Sequence, residues 1–263
     1  MQLKKPPLLP LSLPESKSVP CSKITDYTWL IYGERKIGKT ELASHFDDPF
    51  FLFFEPGGRA QKLRARFVNS WDEFLQYITL LESKPDYCRT VVIDVGGKCY
   101  DLAFEYACRK LGIEHPQDEA GGGKGWKTVE KTFIEAHNRL FALGVGIVVL
   151  AHSEVKEIRR KDGSKYDKFT LQLGAQPFRY YAGTFDTIAY YQYDDNGNRI
   201  LTIRGDANIE AGTRCRDNFL YTDGTPVVHI PMGTNSDEGY KNLVNAFNNK
   251  LVNPTVKVKK EKK

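Results

Sequence analysis

Tyr27-Thr28-Trp29-Leu30-Ile31-Tyr32-Gly33-Glu34-Arg35-Lys36-Ile37-Gly38-Lys39-Thr40-Glu41-Leu42-Ala43-Ser44 passes from an apolar run through a polar, glycine-bounded loop into a helix-like pattern. Trp29 to Tyr32 reads as a buried strand that stops at Gly33. From Lys39 onward, Leu42 and Ala43 fall on one helical side. Between them stands G-x-x-x-x-G-K-T, the phosphate-binding P-loop, in the strand–loop–helix setting that the motif needs. Gly33 and Gly38 let backbone N–H groups turn inward as an anion nest, and the helix N-terminus adds partial positive charge. The nucleotide-binding stretch is therefore Gly33, Glu34, Arg35, Lys36, Ile37, Gly38, Lys39, Thr40 and Glu41. Within it, Lys39 reaches the β- and γ-phosphates and the Thr40 hydroxyl holds Mg²⁺. A chance match in a chain of this length has odds of roughly one in a hundred.

Downstream, Asp47-Asp48-Pro49 marks a turn and Phe50-Phe51-Leu52-Phe53-Phe54 reads as a short buried strand ending in Glu55-Pro56-Gly57-Gly58. A carboxylate at that end of a buried strand faces the crevice where α/β proteins take ligands. Arg59, Lys62, Arg64 and Arg66 follow with no acid among them, as a solvated basic surface or a phosphate-contacting patch. Ser70 to Ser83 predicts a helix with Ser70 as N-cap and Asp72 and Glu73 in its first turn. Thr90-Val91-Val92-Ile93-Asp94 has the Walker B pattern, with Asp94 able to hold Mg²⁺ through water.

Lys98 to Gly112 predicts a helix. Glu119 to Lys127, with its run of glycines around Lys124 and Trp126, reads as a mobile loop, and Thr128 to Leu143 as the next helix. Gly146 to His152 is a further buried strand ending in a polar residue. Val155 to Leu173, centred on Asp162-Gly163, has the alternation of a β-hairpin, and its tip from Arg159 to Lys165 is basic. A second hairpin spans Asp186 to Arg204. Ala211 to Arg216 is a polar, basic connector, and residues 237–250 predict a short helix.

The remaining features bound the class. With 263 residues, the chain has room for one sizeable α/β core with extensions. Five prolines before residue 25 predict an extended arm, so three parts are expected: arm 1–25, body 26–232, and a C-terminal helix with a lysine-rich tail, 233–263. Five of the last seven residues are lysines, and they supply most of the formal charge of +5; the body is near neutral, so bulk charge alone does not argue for nucleic acid. No apolar run approaches a membrane span and the first residues lack a secretory pattern, so a cytoplasmic protein with no membrane partner is expected. Cys21, Cys88, Cys99, Cys108 and Cys215 have no pairing pattern and read as reduced thiols. His45, His115, His137 and His229 show no metal spacing.

An extra strand between P-loop and Walker B is expected, as in the additional-strand ATPases. Many of those place a base directly after the Walker B acid; here Val95 follows Asp94, which leaves Glu55 as the replacement. In this respect the chain resembles the RecA-like core, an α/β fold with a central, mostly parallel sheet flanked by helices. The resemblance implies that Glu55 polarises the attacking water, that His152 senses the γ-phosphate, and that Arg214 acts as a finger on a neighbouring subunit. Glycine and threonine precede Arg214 where a lysine is common in the family, so Arg216 is the second choice. The short length, the Phe-Phe-Glu-Pro-Gly and Leu-Ala-His-Ser-Glu strand ends and the Asp186 strand look more closely like bacteriophage nucleotide-binding ATPases, some of them Sak-type single-strand annealing proteins, over about residues 25–232.

That resemblance implies Mg²⁺-dependent ATP binding and hydrolysis, a ring or filament of identical chains, and two loops that bind single-stranded DNA. Their places here hold Lys124, Trp126 and Lys127, and then Arg159, Arg160, Lys161 and Lys165. An aromatic among cations suits sequence-independent binding by stacking and phosphate neutralisation. A single-strand-binding protein is a further partner in this reading. If phage-encoded, the protein acts in the host cytoplasm, in DNA recombination. A replication or packaging motor or loader, and a nucleotide switch acting on a protein partner, are the alternatives.

Overall fold

The structure, a computed structural model, describes residues 13–119 and 123–254. The first part of the arm, Gly121–Gly122 of the glycine run, and the lysine tail lie outside the described residues. Residues 13–23 of the arm are exposed throughout.

In chain order the elements are β1 (Thr28–Gly33), α1 (Lys39–Ala43), β2 (Pro49–Phe53), β3 (Ala65–Phe67), α2 (Trp71–Ser83), β4 (Thr90–Asp94), α3 (Gly96–Leu111), α4 (Lys124–Phe141), β5 (Gly146–Arg159), β6 (Lys165–Leu171), α5 (Ala175–Thr184), β7 (Thr187–Tyr193), β8 (Arg199–Thr202), β9 (Gly212–Thr213), β10 (His229–Pro231) and α6 (Ser236–Phe247). Among the described residues the strands form one sheet in the order β10-β8-β7-β1-β5-β4-β2-β3, with β6 on β5 and β9 on β7. The strands from β3 to β7 pair parallel, whereas β8, β9, β10 and β6 join antiparallel. This is the expected RecA-like arrangement, a mostly parallel sheet with helices on both faces. Continuous apolar strands such as Val91-Val92-Ile93 are what a sheet covered on both sides requires.

One face buries Leu30, Ile93, Val149, Phe74 and Phe133 beneath α2, α3, α4 and α5. The other buries Trp29, Ile31, Phe51 and Leu150 beneath α1 and α6. Leu243, Ala246 and Phe247 belong to that second core, so α6 packs into the same body as the P-loop helix rather than trailing from it.

The structure changes several expectations. The strand interposed between β1 and β4 is β5; Phe50–Phe54 contributes β2, which lies outboard of β4. The first hairpin is confirmed, but its first arm is the continuation of β5 itself, with Arg159 opposite Lys165. Helix α3 begins at Gly96, two residues earlier than expected. The glycine loop is shorter than read: α4 begins at Lys124, so Lys124, Trp126 and Lys127 lie in its first turn. The reason is packing. Gly125 lies against the chain at Pro116, where an added Cβ would stand 2.3 Å from the Pro116 carbonyl oxygen. Its glycine thus serves helix packing and not loop freedom. Ser70 caps α2 as expected, accepting from the Glu73 N–H.

The described cysteines are free, with Cys21 exposed and the other four buried. Among the described residues no helix is long and apolar enough to cross a membrane, and no group of three or more His, Cys, Asp or Glu side chains gathers as a metal cluster.

Candidate nucleotide-binding site

The parallel strands β1, β5, β4 and β2 end on one edge of the sheet, and the cleft forms there. Gly33 sits opposite His152 in the β1–β5 register, and Phe53 opposite Asp94 in β2–β4. The first P-loop glycine has a second duty: a Cβ on Gly33 would fall 2.1 Å from the Tyr191 carbonyl oxygen of β7. Gly38, at φ 110°, supplies the left-handed turn into α1. The resulting cleft, about 640 Å³, is lined by the loop and α1 on one side and by Glu55, Pro56, Gly57, Gly58 and Gln61 on the other.

Inside it, the Lys39 ammonium donates to the carbonyls of Gly33 at 2.9 Å and Glu34 at 2.6 Å. Burial lowers its pKa to about 8, against the opposing pull of Asp94 and Glu55. A buried lysine in this position has lost much of its hydration, so a phosphate meets a cation with little water to displace. Thr40 donates its hydroxyl to Asp94 Oδ2 at 2.7 Å. Burial pushes the Asp94 carboxyl above the usual carboxylate range, and the Thr40 hydrogen bond pulls the other way. A hydroxyl and a carboxylate in contact fit a hard, oxygen-preferring cation, because Mg²⁺ takes one or two protein oxygens and completes its shell with phosphates and water.

Glu55 reaches over the end of β4 to β5, where its Oε1 lies 3.3 Å from His152 Nε2. Burial lowers the His152 pKa, the Lys39 charge adds to that, and Glu55 opposes it. The other ring nitrogen, Nδ1, is buried with no hydrogen-bond partner among the described residues. Thus Lys39, Thr40, Asp94, Glu55 and His152, drawn from four elements, converge on one cleft.

Arg214 is not among them. It follows β9, which pairs with the start of β7, so it stands at the edge of the sheet away from its own P-loop. There its guanidinium donates to the carbonyls of Gly183 and Thr184 at the end of α5. Arg216 is likewise exposed.

Arg35, Glu55 and His152 also line a second cavity over the start of α3, which shares Tyr100 and Asp101 with a third that reaches Phe104 and Trp126. Trp126 is half-buried there, its ring 5.9 Å from Phe104 and 5.4 Å from His115. Lys124 pairs with Glu119 at 3.3 Å. On the hairpin, Lys165 pairs with Glu157 at 2.7 Å and Arg160 lies over the Tyr166 ring, while Arg159 and Lys161 point into solvent. The basic residues of loop 59–66 are partly engaged too, since Arg64 pairs with Asp48 and covers Tyr87.

Three residues near the P-loop had no signal in the sequence. Tyr191, Arg199 and Ser236 come from β7, β8 and α6, far along the chain, and only the fold brings them to Gly38 and Glu41.

Sheet order, glycine loop and the cluster of Lys39, Thr40, Asp94 and Glu55 define a P-loop NTPase fold. The chain belongs to the AAA domain family AAA_24, which matches residues 25–215. It is 27% identical over 143 residues to the SPbeta prophage-derived uncharacterized protein YorG of Bacillus subtilis (strain 168). That match spans 52% of this chain and 43% of the relative, less than half its length. Among solved structures, the KaiC-like protein PH0186 from the hyperthermophilic archaeon Pyrococcus horikoshii OT3 aligns with a TM-score of 0.45 at 15% identity, covering 79% of this chain and 85% of that one.

Proposed function

We propose that this chain is a phage-type ATPase that hydrolyses Mg²⁺-ATP, binds single-stranded DNA, and assists annealing or strand exchange in recombination. The prophage origin of the relative supports the phage setting. The observation that carries the DNA reading is the row of cavities with shared walls that leads from the nucleotide cleft to Trp126. A base stacked on Trp126 would lie in the same row of cavities as Glu55 and His152.

In hydrolysis, Lys39 and the loop N–H groups bind and orient the phosphates. Mg²⁺ on Thr40 and Asp94, when bound, polarises phosphate oxygens as a Lewis acid. Glu55 accepts the proton of the attacking water. His152, held neutral by burial and by Lys39, donates Nε2–H to Glu55 and keeps that carboxylate aimed without competing for the proton. A ring or filament would allow Arg214 of one subunit to serve the next.

Fluorescence anisotropy of labelled single-stranded DNA across a salt series, with and without Mg²⁺-ATP, tests the reading. The expected result is nucleotide-sensitive, salt-dependent binding that weakens in Trp126→Ala and in the Arg159→Ala/Arg160→Ala pair. Absence of binding at low salt overturns it and favours an ATPase that acts on a protein. That second reading has its own support: Val155 and Phe169, paired across the hairpin, are both exposed, and Lys165 is already neutralised by Glu157.

A further inference from the structure

An acidic side chain sits where a phosphate site least tolerates one. Glu41 directly follows Thr40, and its carboxylate lies beside the P-loop: a Cβ on Gly38 would stand 3.9 Å from Glu41 Oε2. The same point is 3.5 Å from Arg199 Nη1 and 3.8 Å from the Tyr191 hydroxyl, so three side chains converge on that glycine. Glu41 lines the cleft, and a carboxylate free to swing forward along that wall would meet the phosphates with like charge.

Glu41 is held back. Its Oε1 accepts the Ser236 hydroxyl at 3.0 Å, from the first residue of α6. The single Ser236 proton is then committed, so its oxygen accepts from His45 Nε2 at 2.9 Å. His45 Nδ1 in turn faces Asp237 Oδ1 at 3.3 Å, and its ring stacks on Tyr240 at 5.9 Å. Arg199 is fixed on the same side by a bond to the Gly233 carbonyl at 3.3 Å, in the turn that leads into α6. Helix α6 therefore touches the P-loop helix through a directed polar chain as well as through Leu243 and Phe247 in the core. Both Ser236 and Asp237 lie beyond the 25–215 stretch that the family shares.

We propose that Ser236 is a positioning residue for nucleotide binding: by holding the Glu41 carboxylate against α6, it keeps negative charge out of the phosphate site. The inference rests on the nucleotide reading of the cleft. It makes the C-terminal helix part of the ATPase site, and it specifies how α6 acts, through the charge on Glu41.

A double-mutant cycle, read by the Kd for a fluorescent ATP analogue with Mg²⁺, tests it. Ser236→Ala should raise Kd about tenfold, the scale of a lost hydrogen bond to a charged group. The rise should steepen at low salt, while kcat at saturating nucleotide stays within about twofold of wild type. In a Glu41→Gln background the same substitution should change Kd by less than about twofold, because no charge is left to restrain. Ser236→Thr, which retains the hydroxyl, should bind as wild type does and guards against a folding defect in the alanine variant. An equal loss from Ser236→Ala in both backgrounds makes the serine a packing residue only and overturns the proposal, as does a wild-type Kd in the single variant. Failure of the wild-type protein to bind the analogue at all removes the nucleotide reading itself, and the positioning role with it.

Discussion

Lys39 shows how far a single residue carries the function. It is buried to 6% exposure among backbone carbonyls, a costly place for an ammonium unless an anion is to join it. Lys39→Ala is expected to abolish nucleotide binding by equilibrium fluorescence while leaving the far-UV spectrum unchanged. Glu55→Gln is expected to separate binding from chemistry. The amide can still meet His152 but cannot take a proton, so nucleotide Kd holds while steady-state turnover falls by about 10² to 10⁴. At this scale the sequence was informative wherever a motif and a strand end coincide, as for Gly33 to Thr40, Asp94 and Glu55. It was silent on Tyr191, Arg199 and Ser236, whose local settings are an ordinary strand, the first residue of the next strand and a helix start. Only tertiary approach gives those three a role.

Elements carry a different lesson, because neighbours decide where they begin. The run Glu119 to Lys127 reads as loop by composition, yet α4 starts inside it, since Gly125 is needed against Pro116. Further along α4, His137 is buried between helices, its Nδ1 2.9 Å from the Phe133 carbonyl and its Nε2 2.9 Å from the Tyr181 hydroxyl of α5. Burial lowers its pKa from the ordinary 6.5 to about 4. Below pH 6.5 the unfolded chain takes up a proton that the folded one refuses until about pH 4, so folding stability falls across that window and is fully present above it. His137→Gln should lower Tm at about pH 7 through lost contacts, yet shrink the further drop between about pH 7 and pH 5. An unchanged drop, followed by thermal melts, would place the acid sensitivity elsewhere.

For the whole molecule, the class was legible because P-loop, Walker B and the acid after β2 occur in an order that only a few sheets accommodate. The strand order was less so. Nothing local marks β5 as the strand that enters between β1 and β4; that follows from helices covering both faces, which lets a later strand insert at the centre. Arg214, fixed at the far edge of the sheet, has no route to its own cleft. If chains assemble head to tail, Lys39→Ala and Arg214→Ala proteins, each inactive alone, should regain measurable ATPase activity when mixed. A mixture as inactive as its parts would confine Arg214 to holding the end of α5.

Strand β5 also has mechanical meaning. Its 14 residues form one rod, roughly 46 Å long, clamped between β1 and β4 over its first half and paired over its second with β6, which Phe169 ties back through its bridge to Ile209 and its stack on Tyr190. His152 stands where the clamp ends. The strand is therefore a lever whose clamped part ends at the cleft, where His152 lines the wall. A tilt of about 5° there would sweep the hairpin tip, about 20 Å out, by about 2 Å, against the restraint that Phe169 places on β6.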